Sequence, residues 1–135
     1  MQNPLKVVGC FIEYEGKILL LHRWPEKSEG NKWGLPAGKA ELGESSIQAI
    51  LREIMEETGY QTTEDKLEFI GEYPFTFPDK SVIFTTFRLR LENPFEVKIN
   101  SYEHQNFQWI TPLEASKLEN LIHGLHDVLR FAKYI

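Results

Sequence analysis

The chain has 135 residues, 41% of them hydrophobic and 13% aromatic, enough for one domain with a sizeable core and too few for two. It sets 15 Lys and Arg against 20 Asp and Glu, a net charge of −5, so its overall field repels polyphosphate and disfavours broad nucleic-acid binding. There is no 18-residue apolar run to cross a membrane and the opening Met-Gln-Asn-Pro-Leu-Lys lacks the shape of a secretion signal. A single cysteine, Cys10, excludes an internal disulfide and is expected to be a buried, inert thiol in a cytoplasmic protein.

Lys6 to Tyr14 and Lys17 to His22 read as strands joined by a tight turn at Glu15-Gly16. Arg23 to Asn31 is polar and rich in breakers, hence a loop, and Trp33-Gly34-Leu35-Pro36 leads out of it. A helix is predicted over about residues 46 to 58. Leu67 to Phe77 and Ser81 to Leu91 carry β-branched and aromatic residues and flank a Pro78-Asp79 turn, a second hairpin. Asn93 to Asn106 reads as a long polar loop and Phe107 to Ile110 as a short strand. Thr111-Pro112-Leu113-Glu114 opens a helix with Thr as N-cap, Pro at N1 and Glu at N3. A last helix is expected over about residues 121 to 133. Repeats, low-complexity segments and linkers are absent from the sequence, so the pattern is one α+β domain, a sheet covered by helices on its faces.

The helix over 46 to 58 is the informative one. Ser45 or Ser46 supplies an N-cap and Gly59 a C-terminal stop. Ile47, Ile50, Leu51 and Ile54 share one face at roughly 100° per residue. Glu53, Glu56 and Glu57 fall on another, about 115° away. These glutamates are badly placed for stability. They crowd the helix C-terminal half, where the macrodipole disfavours each by about 0.3–1 kcal/mol, and they repel one another. A solvated charged face is the ordinary explanation of such a helix. A divalent cation would offset the repulsion, and oxygen ligands suit Mg²⁺ or Mn²⁺.

Seven positions across Gly38–Tyr60 decide between the two: Gly38, Glu44, Arg52, Glu53, Glu56, Glu57 and Gly59. Chance agreement at all seven is below roughly one in a million. Their spacing resembles the box of the Nudix hydrolases, enzymes that cut nucleoside diphosphates linked to another group. The resemblance implies a mixed sheet between helices, an α/β/α sandwich whose box forms loop–helix–loop. It implies that Glu53, Glu56 and Glu57 ligate Mg²⁺, with the Ala37 carbonyl as a further ligand, and that Glu53 or Glu44 acts as base. Arg52 would orient a glutamate. Many relatives have Gly-Gly where this chain has Ala37-Gly38, so Ala37 must keep a negative φ. Tyr60 replaces the usual aliphatic residue, a packing variation.

By the same resemblance Arg23, Lys39 and Leu35 border the substrate, the two cations at positions that contact phosphate in relatives. The Tyr73–Lys80 hairpin looks like the MutT-like branch that cleans triphosphate pools, in which Lys80 and Asn120 would read the base; Asn120 reads equally well as a cap. Relatives place a further carboxylate near Glu103, and Gln108 stands where that branch often has Glu. Trp33 and Trp109 favour packing over base stacking. His123 and His126, with no third ligand near, favour ordinary surface or core histidines.

The expected activity is Mg²⁺-dependent hydrolysis of a small nucleotide, a (d)NTP or an oxidised relative, to monophosphate and pyrophosphate. ADP-ribose, nucleotide sugars and dinucleoside polyphosphates stay open, as do the base, the sugar, the attacked phosphorus and the oligomeric state. RNA 5′-end hydrolysis is disfavoured because no basic stripe is present. Ligand-sensing relatives that bind without turnover usually lose box glutamates, and this chain keeps them all.

Overall fold

The computed structural model describes residues 3–135. Strand β1 (Leu5–Tyr14) turns at Glu15 and Gly16 into β2 (Lys17–Arg23). Both turn residues have positive φ, 50° and 78°, as a tight two-residue hairpin turn requires. Two very short strands follow, β3 (Trp33–Gly34) and β4 (Ala37–Lys39), and then helix α1 (Ser46–Thr58). After a 3₁₀ turn over Glu64–Lys66 come β5 (Glu68–Thr76) and β6 (Ser81–Arg90), the second hairpin. Strand β7 (His104–Ile110), α2 (Pro112–Ser116) and α3 (Leu125–Phe131) complete the chain. No helix among the described residues is long and apolar enough to cross a membrane.

The seven strands form one mixed sheet ordered β3-β2-β1-β6-β5, with β4 on β1 and β7 on β2. Only β1 and β6 run parallel, in register from Leu5 opposite Val82 to Glu13 opposite Arg90; every other pair is antiparallel. Strands β1 and β2 pair at just two positions, Glu13–Ile18 and Tyr14–Lys17, and then part. Into that fork the chain inserts β3 against β2 and β4 against β1, and the Cys10 N–H donates to the Pro36 carbonyl at 3.0 Å. The fork is what brings the segment ahead of α1 to the middle of the sheet.

Both faces are covered, as the near-continuous apolar runs in β1 and β2 require. Val8, Cys10, Ile12, Leu19 and Leu21 pack with Ala49, Ile50 and Ile54 of α1. Phe11, Ile18 and Leu20 pack on the opposite face with Ala115 of α2 and Leu125, Val128 and Leu129 of α3. Burial holds the Cys10 thiol protonated, well above its ordinary pKa, so it is inert.

Three expectations need correction. The last helix starts at Leu125, not near residue 121. Leu121 bridges Trp33 as a strand does, Ile122 N–H donates to the Trp33 carbonyl at 2.9 Å, and Gly124 at φ 87° interrupts before the helix begins. Strand β7 begins three residues earlier than expected, at His104, because His104 pairs with Arg23 across a bulge at Gln105 of β7. The polar loop before it is less free than its composition suggests. Phe95, Val97 and Ile99 pack in alternation under the first core, and Lys98 N–H donates to the Thr58 carbonyl at 2.9 Å.

Candidate active site

Helix α1 has the ends expected of it. Gln48 N–H donates to Ser45 Oγ at 3.1 Å while Ser45 N–H donates to the Gln48 side chain at 2.9 Å, a reciprocal capping box. Gly59, at φ 78°, closes the C-terminus with its N–H on the Met55 carbonyl. Burial along the helix does not follow hydrophobicity alone: Glu53 and Glu57 are each 8% exposed, nearly as buried as Ile50 and Ile54. They form the flank that faces β4. A Cβ on Gly38 would stand 2.3 Å from the Glu53 carboxyl, so a larger residue here would displace that carboxyl from its present position. Ala37 donates its N–H to Glu57 Oε1 at 2.8 Å, and its φ is not positive, so it meets the condition for replacing glycine.

Arg52 holds the rest together. Its Nε and Nη2 grip Glu44 at 2.7 and 2.9 Å in the bidentate manner. Nη1 donates to Glu53 at 2.8 Å and to Glu56 at 3.2 Å, and Nη2 also donates to the Lys39 carbonyl at 3.1 Å. Arg52 thus orients glutamates from within the cluster.

The electrostatics separate the carboxylates into kinds. Arg52, helped by the Glu41 N–H, holds Glu44 down at about 2. Burial pushes Glu57 up to about 8, against the Ala37 N–H and Arg23, with Glu53 and Glu103 adding repulsion. Burial also raises Glu53, opposed by Arg52. Among the described residues no three acids or histidines close on a single point; Arg52 Nη1 stands between Glu53 and Glu56 and takes part of their charge. The donor set nevertheless suits a hard divalent cation. It is all oxygen, and its buried members are the carboxylates whose ionised form a cation would restore.

One cavity of about 760 Å³ runs from these glutamates across the sheet edge. Arg23, Leu35, Ala37, Lys39 and Lys80 border it, as do Arg52, Glu53, Glu56 and Glu57. Arg23 is braced by its Nε on the Ser28 carbonyl at 2.7 Å. The Lys80 ammonium rests 5.3 Å above the Phe77 ring, and Leu35 belongs at once to the wall and to the second core.

Asn120 is the exception. It is not a wall residue, and its amide donates to the Asn31 carbonyl at 2.7 Å, clipping the Arg23–Asn31 loop to the segment ahead of α3. In this structure its amide serves the loop and not the cavity. Glu44, turned into Arg52, also stands outside the wall. Trp33 stacks on His22 and Trp109 packs edge-on to Tyr14 and Phe95, so neither reaches the cavity. His123 borders it, against Phe77; His126 does not.

Sequence reasoning did not find Phe75, Phe84, Ile122, Leu125 and Val128, which make the far wall apolar, nor Ser28 and Glu29 on its rim. Alternating apolar positions in β5 and β6 carried a signal for the first two; the other five depend on tertiary placement. Glu103 also lines the cavity, close enough to raise Glu57.

A sheet between helices, with a loop–helix–loop delivering its glutamates to one cavity, defines the Nudix fold. A family model for the NUDIX domain matches residues 3–130, and the chain belongs to that family. It is 33% identical over 113 residues to the CTP pyrophosphohydrolase of Escherichia coli K12, covering 82% of this chain and 78% of that protein. It superposes on the MutT protein of Methanosarcina mazei Go1 with a TM-score of 0.84 at 29% identity, over 97% of this chain and 95% of that one. A Caenorhabditis elegans Ap4A hydrolase superposes at 0.69 with 26% identity, over 94% and 93% of the two chains. The protein is a MutT-like Nudix hydrolase. Nudix hydrolases act on small nucleotide derivatives and generally use divalent metal ions.

Proposed function

We propose that the protein is a Mg²⁺-dependent pyrophosphohydrolase that cuts a nucleoside triphosphate, or an oxidised one, to the monophosphate and pyrophosphate. The observation that carries this is the continuity of one cavity from paired acids to an aromatic wall, phosphate chemistry at one end and an apolar seat for a base at the other. Glu53, Glu56 and Glu57, with the Ala37 carbonyl, would hold Mg²⁺, or Mn²⁺ in its place. When bound, the ion neutralises phosphate charge and acidifies water.

The residues divide the remaining work. Arg23, Lys39 and Lys80 bring positive charge to the polyphosphate in a chain whose net charge opposes it. A water oxygen bonds to phosphorus, the anhydride P–O bond breaks, and the water proton passes to a carboxylate. Glu53 suits that base better than Glu44, because Glu44 is held ionised by two bonds to Arg52 and turned from the cavity. Glu103, across from Glu57, is the further carboxylate of the site.

A panel of nucleotides with Mg²⁺, products resolved by chromatography, tests the reading. Triphosphates should give monophosphate plus pyrophosphate, and excess chelator should abolish turnover. If ADP-ribose or a nucleotide sugar exceeds every triphosphate in kcat/KM, the substrate assignment fails and the family stands. Dinucleoside polyphosphates are the second reading. A neighbouring hollow of about 410 Å³ shares Phe77 and Lys80 with the main cavity and offers room for a second nucleoside.

A further inference from the structure

Away from Arg52 the cavity is bordered by Ser28 and Glu29 of the Arg23–Asn31 loop, by Phe77 and Lys80 at the tip of the β5–β6 hairpin and by the residues just ahead of α3. Phe75, Phe84, Ile122 and Leu125 make this end apolar. Among them stands one acidic side chain, Glu29, which takes no part in the Arg52 cluster.

Glu29 is fixed in place by its loop. Its φ is 52° and that of Asn31 is 61°, a region that side chains bearing a Cβ rarely adopt. Between them, a Cβ on Gly30 would lie 2.1 Å from the Pro25 carbonyl oxygen, so the loop is folded tightly on itself. The Asn31 N–H reaches the Arg23 carbonyl at 3.2 Å, and the Asn120 amide holds the Asn31 carbonyl from outside. These dihedrals and hydrogen bonds fix the direction in which the Glu29 side chain leaves the loop.

The two carboxylate oxygens of Glu29 differ. Oε1 accepts the His123 N–H at 2.8 Å and lies 3.5 Å from the Lys32 ammonium. Oε2 has no protein donor among the described residues. An ionised carboxylate only accepts hydrogen bonds. One oxygen is therefore anchored while the other remains an acceptor at the rim of an apolar pocket.

We propose that Glu29 is a specificity-determining residue, and that Oε2 accepts an N–H from the exocyclic amine of a nucleobase seated against Phe75 and Ile122. The inference rests on the nucleotide reading above and deepens it: bases bearing an amine are preferred over their oxo counterparts. A carbonyl at that point would face the carboxylate with a second acceptor, leaving both without a donor.

Matched pairs isolate the group: CTP against UTP and ATP against ITP, each cut by the full chain with Mg²⁺. The amino member of at least one pair should lead in kcat/KM by about tenfold or more, the discrimination one well-made base contact supplies. Glu29→Gln is the decisive variant. Its carbonyl can still accept the His123 N–H, which turns the amide NH₂ toward the position of Oε2. The preference should shrink or invert through KM, with the oxo member gaining while kcat stays near that of the parent. Glu29→Ala should lose discrimination and some thermal stability together. Equal cleavage within every pair by the parent protein would overturn the assignment. So would a Glu29→Gln variant that weakens both members alike, since that is the behaviour of a loop clip. If no triphosphate is cleaved at all, the pyrophosphohydrolase reading fails by itself; Kd values for the same pairs by calorimetry then decide Glu29 separately.

Discussion

Arg52 and Arg88 each gather several acidic groups, one beside the cavity and the other where the chain ends. Arg88 lies 3.0 Å from Glu13 and 2.5 Å from Glu68, donates to the Tyr134 hydroxyl at 2.7 Å and to the Ala132 carbonyl at 3.2 Å. Tyr134 also donates to Glu13, and Arg90 stands 3.7 Å from the same carboxylate. Two arginines thus face two glutamates, and every polar group has a partner. Around Arg52 one guanidinium lies within 3.7 Å of Glu41, Glu44, Glu53 and Glu56, with Glu57 buried nearby, its one hydrogen bond among the described residues coming from the Ala37 N–H and Arg23 acting on it only at longer range. The balanced cluster fastens β1, β5 and β6 to the chain's end. The unbalanced one is short of positive charge, which is the shortage the proposed divalent cation would make up.

The largest effect should come from removing charge at the unbalanced cluster. Glu53→Gln or Glu57→Gln keeps the shape and should lower kcat by on the order of 10²-fold or more, as loss of a preorganised electrostatic group does. The metal-free variant should melt no lower than the parent, because repulsion is relieved. A near-native rate would take that residue out of the catalytic set, and a collapsed fold would make its role structural.

At the balanced cluster the expectation reverses. Arg88→Met keeps much of the packing over Tyr134 but leaves Glu13 short of its partner. It should cost about 1–3 kcal/mol in denaturant unfolding, with kcat within about twofold of the parent. A variant that unfolds like the parent but turns over slowly would erase the contrast between the clusters.

Glu57 gives the contrast a pH dependence. Its folded pKa of about 8 lies above the ordinary value of 4.5, so between those values the folded chain binds more protons than the unfolded one. Metal-free stability should therefore fall as pH rises from about 4.5 to 8. His104, buried and held down to about 4 by desolvation and then Arg23, works oppositely; its contribution is lost as pH falls from 6.5 toward 4. Comparing melting curves of the parent and Glu57→Gln in chelator cancels the shared His104 slope. The parent should lose more on the alkaline side, and added Mg²⁺ should flatten the difference. Parallel curves would mean Glu57 ionises freely despite its burial.

How much of this was legible in the sequence follows from the range of the forces involved. Helix α1 was readable to its ends because Ser45, Gln48 and Gly59 act within a turn of their own positions, and its glutamates came with it. The hairpins were readable because alternation and turn residues are local. The far wall was not, because Ile122 and Leu125 reach the cavity only after Leu121 has paired with Trp33, a two-residue strand with no periodic signature. Glu29 stayed hidden in a polar loop, where sequence alone cannot separate an aimed carboxylate from a solvated one. Glu103 was flagged but unplaced until His104 anchored the start of β7.

Asn120 provides the smallest and sharpest test, because sequence resemblance and geometry predict different outcomes for one substitution. As a base reader, Asn120→Ala should narrow the difference between good and poor nucleotides and leave stability unchanged. The structure assigns it a single clip from its amide to the Asn31 carbonyl, worth about 1 kcal/mol as an ordinary hydrogen bond. That predicts a fall in melting temperature of about 2–6 °C for a domain of this size. The nucleotide preference should hold within about twofold, because the loop keeps its other ties. The Glu29–His123 bond remains, as do the backbone bonds from Trp33 to Asn120 and from Ile122 to Trp33, none of which needs the Asn120 side chain. A lost preference with an unmoved melting temperature would return Asn120 to the base and place its amide, in the bound state, inside the cavity.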